Sequence, residues 1–385
     1  MRPQPDYLPY RQAHPPRARR WLTAGAVVAF VSGAGMALLP AVDRGGALMA
    51  WVIACGVALT GVGWLLRQLH YRISVHHAQY YAQLVEQEGQ DWWARHQQTF
   101  GLRETVLLGP VGSEAKHWEQ LLKREHPIPE EKTEAGGRTL RLVHSFVSDP
   151  DAREQQLAGM LVRQWLAQRG DAALPRLSHC YWLGSELAWR TFCELLAESY
   201  PALQLPAVPE KWQGEASLSA ITARINDPHE ERLILVAGCQ SLTATSASAR
   251  PAGESAVLWL VSREGSARIT RGERYNVGQG ESILGVCARA MQQSKVTSPP
   301  DPCMVFTQPH VPELAQSGWN IMQFLQDVNW GDTGQMEPLI VITLAALYTS
   351  QCDQPCGWIA RDPQHSLALG IVTPTDNSPS SNTLT

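Results

Sequence analysis

Polar and apolar positions divide the chain near His70. Two segments ahead of it, Trp21 to Val42 and Ala47 to Leu66, contain no Asp, Glu, Lys, Arg or His. A helix that crosses a bilayer needs roughly 20 apolar residues, because lipid offers no partner to backbone N–H and C=O groups. Both segments reach that length. Pro40 is the one strong breaker in the first, and Asp43-Arg44-Gly45-Gly46 between them leaves room only for a tight turn. The pattern predicts a two-helix transmembrane hairpin over residues 21–72. A cleaved signal peptide would show one shorter apolar core and no second span. A hairpin buried in a soluble core is disfavoured because both helices are apolar on every face.

The flanking charge orients the hairpin. Arg2, Arg11, Arg17, Arg19 and Arg20 precede it, Arg67 and Arg72 follow it, and the turn carries one Arg and one Asp. Positive charge stays on the cytoplasmic side. The expectation is therefore a bacterial inner-membrane protein with two spans and both termini cytoplasmic. Residues 1–20, rich in Pro and Arg, read as a disordered cytosolic tail. Residues 73–100 read as a connecting helix leaving the membrane, broken at Gly89.

Beyond it, short apolar runs alternate with amphipathic segments. Strands are expected at Thr105–Leu108, Thr139–Phe146, His179–Leu183, Arg232–Gly238, Glu254–Ser262, Cys303–Thr307, Trp358–Arg361 and Ser366–Val372. Helices are expected at Glu114–Glu125, Ala152–Gln168 behind an Asp149-Pro150-Asp151 start, Glu186–Tyr200, Leu218–Ile225, Ser282–Gln292, Trp319–Leu325 and the apolar Met336–Thr349. Strands alternating with helices mean an α/β fold with buried sheets. Residues 374–385 are polar and read as a disordered tail.

Composition narrows the function. The net charge is -4, with the basic residues scattered apart from those before the first span, so nothing points to nucleic acid. Eight cysteines without a regular framework fit a reducing cytosol. There is no GxSxG elbow, no HExxH, and Gly109 to Lys116 lacks the ending of a phosphate-binding loop. Cys352 and Cys356 form one short pair with no second pair for zinc, so no metal or cofactor is expected. His76-His77 reads as a solvated pair and Val277-Gly278-Gln279-Gly280 as a loop. Cys239, at the end of a strand, is the most tempting nucleophile, but its neighbourhood supplies no base.

ERLILVAGCQSL followed by GESAVLWLVS resembles the middle of a thiolase-like (ketosynthase) half, with Gly253, Glu254 and Ala256 as the matching residues. Gly331-Asp332-Thr333-Gly334 ahead of the apolar helix is similar to the segment of the second half built on Gly331, Asp332 and Gly334. The resemblance implies duplicated βαβαβ layers, a first half over 101–262 and a second over 263–373. A working ketosynthase has a nucleophilic cysteine on the turn before a buried helix. The matching stretch here, Gln213 to Leu218, has none, and His310 alone is available for the two histidines of the family. Such groups act as a unit, so their loss removes most of the rate.

A thiolase-like domain with a dismantled site, behind a cytosol-facing hairpin, resembles the type VI secretion lipase-adaptor family. That resemblance implies a pseudoenzyme acting as adaptor or chaperone, with a phospholipase-class effector and a secretion spike protein as partners. A homodimer is compatible with it. Fourteen tryptophans are present, and Trp182, Trp189, Trp212, Trp319 and Trp330 are candidate partner anchors, with core packing as the alternative. The rival reading is an enzyme acting on acyl thioesters or lipids, with Cys239 or Cys287 as nucleophile and His310 as base. A plain structural anchor of an envelope complex is a third.

Overall fold

The computed structural model describes residues 7–37, 46–142, 149–170, 172, 174, 176–228 and 232–375. The chain divides into two compact units, Arg2–Trp93 and Ala94–Thr385.

The first unit is built on α1 (Ala18–Ala37) and most of α2 (Gly46–His96). The two pack antiparallel through small residues. A β-carbon placed on Gly63 would fall 3.1 Å from the Trp21 ring, one on Gly56 2.9 Å from Val28, and one on Gly25 3.7 Å from Thr60 Oγ1. Such small positions let backbones approach closely. Their outer faces expose Leu22, Phe30, Trp51, Leu59 and Leu66. Among the described residues one helix, over Ala50–His96, is long and apolar enough to cross a membrane. Of the expected turn Asp43-Arg44-Gly45-Gly46, Gly46 opens α2, and the other three residues and the breaker Pro40 lie outside the described residues.

Two expectations for this unit change. α2 runs unbroken for 51 residues, about 77 Å at 1.5 Å per residue. Gly89 costs a helix only about 1 kcal/mol, and the Glu, Gln, Ala and Leu around it are strong helix formers. Residues 7–17 form no helix or strand but are not loose. Ala13 N–H donates to Ser74 Oγ at 2.9 Å, Tyr81 Oη donates to the Leu8 carbonyl at 3.0 Å, and Tyr10 packs on the Tyr81 ring.

The second unit contains β1 (Thr99–Leu108), α3 (Ala115–Leu122), β2 (Lys132–Glu134), β3 (Gly137–Thr139), α4 (Pro150–Arg169), β4 (His179–Leu183), α5 (Glu186–Ser199), β5 (Glu210–Lys211) and α6 (Glu215–Ile225). There follow β6 (Ile234–Ser241), β7 (Glu254–Ser262), β8 (Ala267–Thr270), β9 (Glu273–Tyr275), α7 (Ile283–Gln293), β10 (Cys303–Val305) and β11 (Phe324–Leu325). The last elements are α8 (Asp327–Trp330), α9 (Glu337–Cys352), β12 (Cys356–Ala360) and β13 (Leu367–Pro374).

Strand order shows an internal repeat. Among the described residues eleven strands join in one sheet, in the order β11-β10-β12-β13-β8-β1-β7-β6-β4-β5, with β9 on β13. Taken outward from the β8–β1 seam, and leaving β9 aside, each side holds the first, fifth, fourth, second and third strand of its half. In both, the outer three strands are parallel and the next two pairings antiparallel. The repeat changes over between β7 and β8. Thr99↔Thr270 to Leu102↔Ala267 stitch the two first strands together.

Side-chain alternation sorts the strands into layers, because successive residues point to opposite faces. In β4, Cys180 and Trp182 join a cluster under α4 and α5, while Tyr181 and Leu183 face the central cluster. In β6, Leu235 and Ala237 go one way and Ile234 and Val236 the other. The central cluster contains Leu218 and Ile221 of α6, Leu339 to Ala346 of α9, and the inner faces of strands from both halves. α7 covers the far side with Ile283, Val286 and Ala290. Thus α6 and α9 form the buried middle of five layers, which is why α9 beyond Glu337 is mostly apolar around its whole circumference.

Most expected elements are present, with two corrections. Trp319–Leu325 is not a helix: it is a bend leading into the two-residue β11, hydrogen-bonded parallel to β10. The strand expected over Thr139–Phe146 is confined to Gly137–Thr139 among the described residues, and 143–148 lie outside them. The polar tail from 376 onward also lies outside them.

Candidate functional site

α6 enters the core through Gly214, whose φ of 61° and ψ of -130° belong to a region open chiefly to glycine. This is the turn before a buried helix, in the stretch where the sequence resemblance would seat a nucleophilic cysteine. No thiol occupies it. The space is taken instead by Asp362 from the loop after β12. A β-carbon on Gly214 would fall 2.1 Å from Asp362 Oδ2 and 2.8 Å from Pro363. Asp362 Oδ2 accepts the Glu215 N–H at 3.0 Å, and Oδ1 accepts the Gln364 N–H at 3.0 Å. A helix N-terminus presents unpaired N–H groups and favours an anion there. Asp362 supplies one from within the chain.

Charge is dense around this turn. Glu215 is buried, and burial pushes its carboxyl pKa up; Glu273 and Asp362 add to the rise while Arg274 opposes it. Glu273 is itself buried between His96 Nε2 at 2.6 Å and Arg289 Nε at 3.2 Å. Burial lowers the pKa of Arg271, against the pull of Glu215 and Glu273. His365 lies with Nε2 3.3 Å from Arg274 and Nδ1 3.3 Å from Asn276. Burial, first, and Arg274 push its pKa down.

The residue before Asp362 meets the start of α9 differently, by pairing with a side chain rather than with a backbone N–H. Arg361 Nε donates to both oxygens of Glu337 at 3.0 Å, and Arg361 Nη2 pairs with Glu337 Oε1 as well. Glu337 is the first residue of α9 and is 1 % exposed. Asp332 stands 3.5 Å from the same guanidinium. Adjacent residues of one loop therefore meet the N-termini of both central helices.

The glycine motifs of the two halves come together. Gly253 N–H donates to the Asp332 carbonyl at 2.7 Å, and Asp332 N–H donates to the Pro251 carbonyl at 2.7 Å. A β-carbon on Gly253 would fall 2.0 Å from the Trp330 carbonyl, so only glycine permits the approach. Gly331 and Gly334 have φ of 68° and 58°. Ala256 is buried in β7 opposite Cys239. Glu254 is fully buried, accepting from Leu142 N–H at 2.6 Å and Ser241 Oγ at 3.2 Å, with Arg141 at 3.8 Å. Burial raises its pKa, and those partners oppose the rise. These residues hold the scaffold.

The rival catalytic set is not assembled. Cys239 and Cys287 belong to different clusters on opposite outer faces of the unit, and His310 is exposed. Burial pushes the Cys239 thiol well up and Cys287 to about 11, the reverse of an activated thiolate. The five candidate anchors need the same correction. Trp182, Trp189, Trp212, Trp319 and Trp330 are all buried, at 4 % exposure or less. Trp330 stacks on Trp118 at 5.9 Å and Trp212 meets Trp259 edge-on at 5.8 Å. They fill the core rather than a partner surface. Among the described residues no cluster of His, Cys, Asp and Glu could hold a metal.

No protein-family model and no curated protein matches the chain. Solved structures do. The ketosynthase from module 1 of the bacillaene synthase of Bacillus amyloliquefaciens FZB42 is 10 % identical with a TM-score of 0.52, over 75 % of this chain and 75 % of that one. The Xenorhabdus doucetiae ketosynthase ApeO in complex with its chain length factor ApeC is 12 % identical with a TM-score of 0.50, over 72 % and 98 %. The PfaC keto synthase–chain length factor is 10 % identical with a TM-score of 0.52, over 72 % of this chain and 43 % of that one. At these identities the likeness is one of fold alone: the chain has a mixed α/β, thiolase-like ketosynthase fold.

Proposed function

We propose that the chain is a membrane-anchored, cytosol-facing adaptor or chaperone that binds a phospholipase-class type VI secretion effector for loading onto a secretion spike protein, and that it is not an enzyme. In this reading α1 and the start of α2 form a two-span hairpin in the bacterial inner membrane, with both termini cytoplasmic. The observation that carries the non-catalytic part is the filled turn at Gly214. A nucleophile there would need a side chain where Asp362 Oδ2 already stands. The anchor is supported by the apolar outer faces of α1 and α2, which have no protein cover. The adaptor role rests on the layout of hairpin plus dismantled thiolase-like domain.

The test is co-purification of the full-length, detergent-solubilised chain with candidate effectors and spike proteins from a secretion-competent cell. Stoichiometric recovery of a phospholipase with its spike is the expected result. Recovery of neither, from chain that remains folded and membrane-extracted, rejects the adaptor role. The rival, an acyl-thioester or lipid-processing enzyme, draws on the fold likeness alone. An acyl-thioester probe that labelled one cysteine in a His310-dependent manner would establish it. Constitutive assembly with other envelope proteins, and no soluble client, would favour the structural anchor.

A further inference from the structure

The first unit carries a cavity that the adaptor reading leaves unused. It has a volume of about 310 Å³ and is lined by Tyr10, Arg11, Gln12 and Ala13 from the N-terminal segment and by His70, Ile73, Ser74 and His77 from α2. It lies one turn beyond the apolar stretch that ends at Leu66. Ala13 N–H to Ser74 Oγ and Tyr81 Oη to the Leu8 carbonyl hold the segment against the helix, so the cavity is built rather than accidental.

Its chemistry is one-sided. Between Tyr7 and Val85 the described residues include six arginines and no Asp or Glu. Arg11, His70 and His77 all line the cavity. Arg67 Nη2 donates to the His14 carbonyl at 3.0 Å, tying a second arginine to the same wall. Arg67 Nη1 stands 3.2 Å from His70 Nδ1. A guanidinium can only donate, so Nδ1 accepts and Nε2 carries the imidazole proton. Ser74 Oγ, having accepted from Ala13, can still donate. Among the described residues, the cavity thus gathers donors with no carboxylate in its lining. Above it, Ile73 and Leu69 are exposed apolar residues continuous with Leu66 and Leu65. A hollow lined by donors and one guanidinium, at the edge of an apolar surface, is the shape of a lipid's own boundary.

We propose that this cavity binds the phosphate of an anionic phospholipid headgroup, with Arg11, His70 and His77 as donors and the acyl chains along the exposed face of α2. The proposal rests on the membrane anchoring argued above. Basic residues beside an anionic leaflet attract it in general. Here the attraction is focused at one seat, formed only when residues 8–13 lie on the helix.

The experiment uses the full-length chain in phosphatidylcholine nanodiscs doped with phosphatidylglycerol, with bound lipid counted by native mass spectrometry. Enrichment of phosphatidylglycerol over its bulk fraction is expected. Arg11→Gln should lower it about fivefold, the scale of one basic residue at an anionic surface, and Ala13→Pro, which removes the donor to Ser74 without changing charge, should lower it likewise. Arg19→Gln, outside the cavity, should leave most of it. Equal losses from Arg11→Gln and Arg19→Gln, or an unaffected Ala13→Pro variant, would overturn the site in favour of diffuse charge attraction. Loss of enrichment on adding inorganic phosphate would overturn the lipid in favour of a free anion. A chain that incorporates into discs but shows no lipid preference sinks this proposal alone; one that stays outside the discs sinks the anchor.

Discussion

Asp362 Oδ2 and the Glu215 amide nitrogen are 3.0 Å apart, across 147 residues of sequence, at the mouth of a buried helix. The contact puts a carboxylate against the turn that the sequence resemblance aligns with a ketosynthase's nucleophile. It also makes Gly214 obligatory twice, through its φ and through the space its absent side chain leaves.

Gly214→Cys should therefore fail to restore a nucleophile and should destabilise the chain by about 2–4 kcal/mol, from positive-φ strain and the clash with Asp362. Asp362→Gly in the same chain should recover part of that loss, because it clears the space but not the strain. A double-mutant cycle in urea measures the coupling. Additive effects would mean that the two positions do not compete for one volume.

Arg361 and Glu337 make a second test. Removing one partner of a buried ion pair leaves an uncompensated charge, typically at about 3–5 kcal/mol. The Arg361 side chain is half exposed and Arg250 Nη1 remains 3.9 Å from Glu337 Oε1, so water and a second guanidinium compensate the carboxylate and Arg361→Met should cost only ~2 kcal/mol. Adding Glu337→Leu should return most of the stability. Denaturant midpoints of the parent and the two variants decide it.

Glu215 predicts a pH dependence with a definite sign. Its folded carboxyl pKa is raised, chiefly by burial. Between the unfolded and folded values the native state holds a proton that the unfolded state has released, so stability falls as pH rises through that window. Glu215→Gln removes this term. The variant should match the parent at the acid end of the window and exceed it at neutral pH. Melts across the window that run parallel for both proteins would contradict the assignment. Glu254, also raised by burial, should be varied in a separate series.

Thiol accessibility follows from burial. Cys352 and Cys55 are exposed, Cys193 is intermediate, and Cys180, Cys239, Cys287, Cys303 and Cys356 are buried. Burial pushes the Cys180 and Cys193 thiols up to about 12. A maleimide should modify Cys352 in the native state at once, Cys55 only where lipid or detergent admits it, and the buried five only on unfolding. Rapid native labelling of Cys239, read by peptide mass, would show an opening that the closed core lacks.

Much of the architecture was legible in local pattern. The apolar runs Cys180–Leu183 and Ala256–Val261 mark β4 and β7, and Asp149-Pro150 marks the start of α4, where Asp149 accepts from Ala152 N–H at 2.9 Å. β8 and β9 were hidden because Arg268, Glu273 and Arg274 look like loop residues. Their cost is met by long-range pairs such as His96 with Glu273, which no window reveals. Trp319, Ile321 and Phe324 suggest a helix by composition, yet Trp319 and Ile321 are buried in irregular chain and Phe324 in β11. The missing cysteine at 213–218 could be read directly. Its replacement could not, since nothing near Asp362 in sequence says that it ends beside Gly214.

The seam between β1 and β8 bears on how the chain is made. β1 emerges soon after the long helix, but its partners β7 and β8 come only after most of the first half has been synthesised. Pairings between distant segments form slowly and leave apolar strands uncovered meanwhile. Until the ribosome has passed Glu254 and completed β7, Val106 to Leu108 have no neighbouring strand to pair with, so ribosome-bound intermediates should depend on cellular holdases more than the finished protein does.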